Sequence, residues 1–275
     1  MSKLPHSIMR SITFGAFALL TLFSIAVSAV NCSHPISQCH AHPEPDLDWD
    51  DHLGPVESIR IEDAEMFYAD NPLLRQISKF NPEGQKIEQV LYRDDGVALP
   101  KSTYSYDSMG RLTKAHHYQV NGSILLENTY TYNSDGTLKD DVQRRLDDNK
   151  VLSHKLYSND LKRNLTEVSE FDWDTKLRGR FGFVRDGECR VIELFVYNPD
   201  GSVHAKVMPR YDDKNNVIET IVYSDNGAVL EKRHNDYEFD RQGNWIKQIS
   251  SKWKVENGKG SYKSDHVTIR KITYY

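Results

Sequence analysis

Tyr104-Ser105-Tyr106-Asp107-Ser108-Met109-Gly110-Arg111-Leu112-Thr113 is the stretch that decides the fold. Two alternating tyrosines share one face of an extended segment. An aspartate and, three positions on, a glycine follow them. The first can bond its own backbone and the second accepts positive φ, which together make a tight reversal. Arg111-Leu112-Thr113 then begins a return strand.

The same pattern (aromatic, Asn or Asp, two variable residues, Gly) recurs along the chain. It stands at Phe80-Asn81-Pro82-Glu83-Gly84, Tyr132-Asn133-Ser134-Asp135-Gly136, Tyr197-Asn198-Pro199-Asp200-Gly201 and Phe239-Asp240-Arg241-Gln242-Gly243. Tyr223-Ser224-Asp225-Asn226-Gly227 and Tyr211-Asp212-Asp213-Lys214-Asn215 are looser copies. Gly84, Gly110 and Gly136 fall 26 residues apart. Between them lie Asp94-Asp95-Gly96, Asn121-Gly122 and Asp148-Asn149, a second set of turns. Strands between such turns predict an antiparallel meander. The expected fold is all-β: tandem antiparallel hairpins forming one continuous twisted or coiled sheet over residues 54–275, with about seven hairpins. The repeat frays at Tyr157-Ser158-Asn159-Asp160, where Lys162-Arg163-Asn164 replaces the glycine, and a division near residues 175–180 is a second reading. Residues 144–152 give the weakest strand signal.

The Tyr104–Thr113 unit resembles a YD repeat of the RHS family, and the other copies keep its aromatic, Asx and Gly while losing Arg-Leu. The resemblance covers most of residues 75–250. It implies a coiling sheet of hairpins, as in the shells of large RHS proteins, some of which bind carbohydrate while others enclose a toxin. This chain has too few repeats for such a shell and ends in a strand-like segment, so a self-contained toxin shell is not expected.

The N-terminus reads as an export signal. Lys3 and Arg10 precede an apolar run from Ile12 to Val27, and Val27-Ser28-Ala29 offers small residues for cleavage after Ala29. The run falls short of the roughly 20 residues that span a bilayer. An uncleaved anchor, or a lipid on Cys32, is the alternative. Export places the protein in the periplasm or outside the cell, where disulfides persist. Cys32 and Cys39 are the expected pair. Cys189, in a strand-like run, is expected as a buried free thiol. Residues 30–53 read as a flexible Cys-, His- and Pro-rich linker.

Net charge is −5 and no basic cluster stands out, which argues against a nucleic-acid partner. His34, His40 and His42 beside the cysteines match no firm metal motif, and the acidic turns lack a calcium-loop pattern. No cofactor or metal is expected. His116 and His117 are adjacent on a strand and so face opposite sides. No nucleophile-elbow, zinc-helix or phosphate-loop motif occurs. The candidate binding residues are Tyr104, Tyr106, Tyr130, Tyr132, Trp173 and Trp245, whose rings suit sugar stacking; a same-face core ladder is the competing role. The reading is a non-catalytic envelope module for glycan or protein. The alternatives are an accessory or immunity-type partner of a secretion or toxin system, and an envelope polymer hydrolase.

Overall fold

The computed structural model describes residues 52–66 and 70–275. The export signal, Cys32, Cys39 and the His34, His40 and His42 group lie outside the described residues.

Among the described residues sixteen strands follow one another. The first six are β1 (Val56–Glu65), β2 (Leu73–Phe80), β3 (Lys86–Leu91), β4 (Ser102–Tyr106), β5 (Leu112–Tyr118) and β6 (Ile124–Tyr132). Next come β7 (Leu138–Arg145), β8 (Lys150–Asp160), β9 (Leu165–Asp172), β10 (Leu177–Arg185) and β11 (Val191–Tyr197). The last are β12 (Val203–Tyr211), β13 (Val217–Ser224), β14 (Val229–Phe239), β15 (Trp245–Glu256) and β16 (Lys259–Tyr274). Each pairs antiparallel with its chain neighbours, and β1 pairs with β16 from Val56 opposite Tyr274 to Glu65 opposite His266. The sheet is therefore a closed barrel. This corrects the expected open, twisted or coiled sheet. Closure gives β1 and β16 the partners that a sheet edge would lack.

The turns obey the sequence logic. Asp107 accepts backbone bonds from Met109 and Arg111, both at 2.9 Å, while Gly110 sits at φ +78°. Asp186, Asp212 and Asp240 hold the corresponding turns through the same two amides. Pairing registers slip by one residue beside the motif aromatics, at Tyr106, Tyr132, Tyr211 and Phe239. These slips are β-bulges, which accompany three-residue hairpin loops. Where the repeat frays, Asn164 takes positive φ in place of glycine. Residues 146–149 form the turn between β7 and β8, and the sheet continues through residues 175–180. Cys189 also requires correction. It lies in a turn, at φ +65°, where other copies carry glycine; it is half-buried and disulfide-bonded rather than buried and free.

The termini of the barrel and the Gly84, Gly110, Gly136 and Gly243 turns mark the lower rim. The Gly96, Gly122, Gly201 and Gly227 turns mark the upper one. One wall collects the most deeply buried residues: Ile59 and Ile61 in a cluster with Phe80, and Val168, Phe183, Leu194, Val207 and Val222 in a second cluster. Side chains on the concave face of a closed sheet converge and shield one another, so this is the inner wall. The outer wall carries charge, with Lys79 and Lys101 on Glu88, Lys114 on Glu127 and Lys271 on Glu62.

Candidate functional site

The six candidate aromatics do not form one site. Tyr104 points inward and donates to Gln89 at 2.9 Å. Tyr106 and Tyr132 donate to the carbonyls of Lys86 and Leu112 at 2.8 and 2.7 Å. Tyr211 and Tyr237 repeat that bond to Val191 and Val217. In each of these four carbonyl bonds the acceptor lies 20 residues upstream, so the phenols staple four lower-rim hairpins, β4–β5, β6–β7, β12–β13 and β14–β15, each to the strand before it. Burial pushes the Tyr132 phenol up to about 12. Tyr130 packs on the inner cluster. Trp245 is buried beneath the Arg270 guanidinium, 4.3 Å from the ring centre. Trp173 alone of the six is largely exposed, at the upper-rim turn after β9, with Lys150 over its ring at 4.0 Å.

The inner wall holds a polar row that no motif announced. Ser102 meets His117 Nδ1 at 2.8 Å, and His117 Nε2 meets Asn128 Oδ1 at 3.2 Å. Asn128 donates to Asp141 at 2.9 Å and accepts from Gln143 at 3.1 Å. Because the Asn128 oxygen can only accept, His117 Nε2 carries the proton and Nδ1 accepts from the Ser102 hydroxyl. Burial lowers the His117 pKa, which keeps the ring neutral. A hydroxyl on a neutral imidazole has the makings of a base and nucleophile. A neutral amide orients this ring, however, and Asp141 bonds the amide rather than the imidazole. A forming imidazolium is thus denied the direct carboxylate contact of a Ser-His-Asp triad. His116 faces the other way and meets Glu127 at 2.8 Å, as the strand alternation predicts.

On the outer wall the upper rim carries repeated aromatic–cation pairs. Lys101 lies 5.5 Å from the Tyr118 ring centre, Arg180 5.1 Å from Tyr197 and Lys206 5.8 Å from Tyr223. Each cation also meets a glutamate 13 residues upstream: Glu88, Glu167 and Glu193. The aromatic follows each cation by 17 residues (118 − 101, 197 − 180, 223 − 206). This Glu, cation, aromatic spacing is visible in the sequence, but only the barrel register shows that the three share a wall. A fourth set, Glu219 with Lys232, takes its rings from Trp253 and Tyr262 instead.

These features define a closed antiparallel β-repeat barrel with a hydrogen-bonded polar inner row and an aromatic–cation girdle at one outer rim. No family model matches the sequence, and neither does any curated protein. Among solved structures, a porin-like protein from Bacteroides uniformis is similar at 13% identity and TM-score 0.38, over 81% of this chain and 98% of that one. A porin-like protein from Bacteroides vulgatus gives 12%, TM-score 0.36, and 80% and 98%. The TcdB2-TccC3-TEV structure gives 15%, TM-score 0.27, over 70% of this chain and 9% of that one. Scores this low transfer no role to this chain.

Proposed function

We propose that this protein is a non-catalytic, exported β-repeat barrel that binds glycan or protein at the cell envelope, and a short, degenerate relative of the RHS/YD-repeat proteins. The observation that carries the proposal is the upper-rim girdle, where rings flanked by paired charges face outward. Aromatic surfaces with a polar surround are the usual anchors of recognition. Ion pairs such as Glu88 with Lys101 and Glu167 with Arg180 stand on the outer wall, where a lipid-facing barrel needs an apolar band. That supports a barrel facing water, in the periplasm or outside the cell. The disulfide at Cys189 accords with an oxidising compartment.

The test combines fractionation with a glycan array and chemical crosslinking on envelope preparations. The proposal expects the processed protein in a soluble envelope or secreted fraction, with a specific glycan signal or one specific crosslinked protein. Cytoplasmic retention, or neither kind of partner, overturns it.

A further inference from the structure

We infer that the outer surface of the β13–β16 sector is a binding site for a neutral oligosaccharide, with Trp253 as the stacking ring and Tyr262 as its support. The inference rests on the proposal above and names the ligand class and the residues.

The β15–β16 hairpin departs from the pattern of the other sectors. Position 249, 17 residues after Lys232, is isoleucine rather than an aromatic, so the repeated ring is absent there. Two rings arrive from further along the hairpin. Trp253 and Tyr262 are direct cross-strand partners, packed edge to face at 5.1 Å between centres. His234 adds a third ring, 5.5 Å from Tyr262. The indole lies across β16 at Gly260, where an added Cβ would fall 2.0 Å from Trp253. Only glycine lets the indole settle there, so the ring position is built into the sequence.

Trp253 nevertheless remains 41% exposed. Next to it Tyr262 donates to Glu219 at 2.9 Å, and Lys232 and Arg210 meet the same carboxylate at 2.9 and 3.2 Å. A fixed, half-open indole beside a carboxylate and two cations matches the two sides of a pyranose. The apolar C–H face stacks on the ring, and the equatorial hydroxyls meet charged hydrogen-bonding groups. Neutrality follows from the electrostatics. Glu219 offsets one of its two cations, Lys232 and Arg210, so the cluster carries one net positive charge rather than the concentrated positive charge that would select a polyanion.

The experiment is a titration of the full processed protein with cellohexaose, chitohexaose and laminarihexaose, read by tryptophan fluorescence and calorimetry. The inference expects at least one of them to bind. Trp253→Ala should weaken binding by roughly tenfold or more, as loss of an aromatic anchor does. Gly260→Ala, which keeps the indole but displaces it, should also weaken binding, while Leu156→Ala, on the exposed surface of β8, should not. Thermal melts of each variant separate lost binding from lost folding. Undiminished affinity in a folded Trp253→Ala overturns this site but leaves the envelope-binding proposal standing. No binding of any of the three by the native protein overturns the neutral-oligosaccharide assignment itself. The broader proposal fails separately, through its array and crosslinking test.

Discussion

Replacing Tyr132 with Phe removes one oxygen and leaves the packing intact. The ring stays against the inner cluster with Arg111 above it, 4.5 Å from the centre. What disappears is the 2.7 Å bond to the Leu112 carbonyl, which joins one hairpin to the strand before it. A half-buried bond of this kind contributes about 0.5–1.5 kcal/mol net. For a domain of this size that lowers the melting temperature by about 2–4 °C per kcal/mol. Tyr106→Phe and Tyr211→Phe should behave alike. Tyr237→Phe should cost more, because its oxygen also accepts from Gln248 at 2.9 Å. The staples sit at separate hairpins, so the quadruple variant should lose roughly 2–6 kcal/mol if the effects add. Tyr223→Phe is the internal control. That side chain faces outward among the aromatic–cation pairs, and the change should stay within about 0.5 kcal/mol. Urea denaturation measures all of this. A Tyr132→Phe midpoint equal to wild type, with an unchanged slope, would refute the staple.

Gly110→Val forces a β-branched residue to φ +78° and should cost about 1–2 kcal/mol or more, read by thermal melting; an unchanged melt would move Gly110 out of the left-handed region. Alkylation of the native, unreduced protein should leave Cys189 unmodified, and peptide mapping should find it joined to another cysteine; a free Cys189 thiol contradicts the disulfide. The ion-paired carboxylates predict acid sensitivity. Lys101 and then Lys79 hold Glu88 below its usual range, and Lys114 and then His116 do so for Glu127. A depressed carboxylate contributes stability that is complete above its unfolded pKa of about 4.3 and is lost as pH falls through the lower folded value. Burial also depresses His117, so the native state resists taking up a proton that the unfolded chain accepts near pH 6.5. Melting temperature should thus begin to fall below about pH 6.5 and fall further below about pH 4. An NMR titration placing His117 above the ordinary histidine value contradicts the first part.

The turns were legible because their chemistry is local. Asp107 and Gly110 need only each other and the intervening amides to define a reversal, so the sequence located them and most strands followed. Closure was not legible. The alternation along β1 and β16 is the same whether those strands pair with each other or end a sheet, and their pairing joins residues about two hundred positions apart. Direction was hidden for a related reason. Tyr132 and Tyr197 stand in the same local pattern, yet one faces the core from the lower rim and the other lies under Arg180 on the outer wall. The binding residues suffered accordingly. Tyr106, Tyr132 and Trp245 have ligand-binding chemistry but are committed to the interior, whereas Trp253 becomes conspicuous only once Gly260 is placed beneath it. Cys189 was misread because positive φ was expected of glycine and asparagine.

Hydrogen exchange followed by mass spectrometry on the first and last strands bears most directly on the architecture. If Val56–Glu65 and Lys259–Tyr274 bond each other, the amides of residues 58–65 and 266–273 will exchange as slowly as those of β12 and β13 in mid-sheet. Should one set of alternate amides in each of those two segments exchange at the rate of an unpaired edge, the ring of strands is broken there and the barrel is wrong.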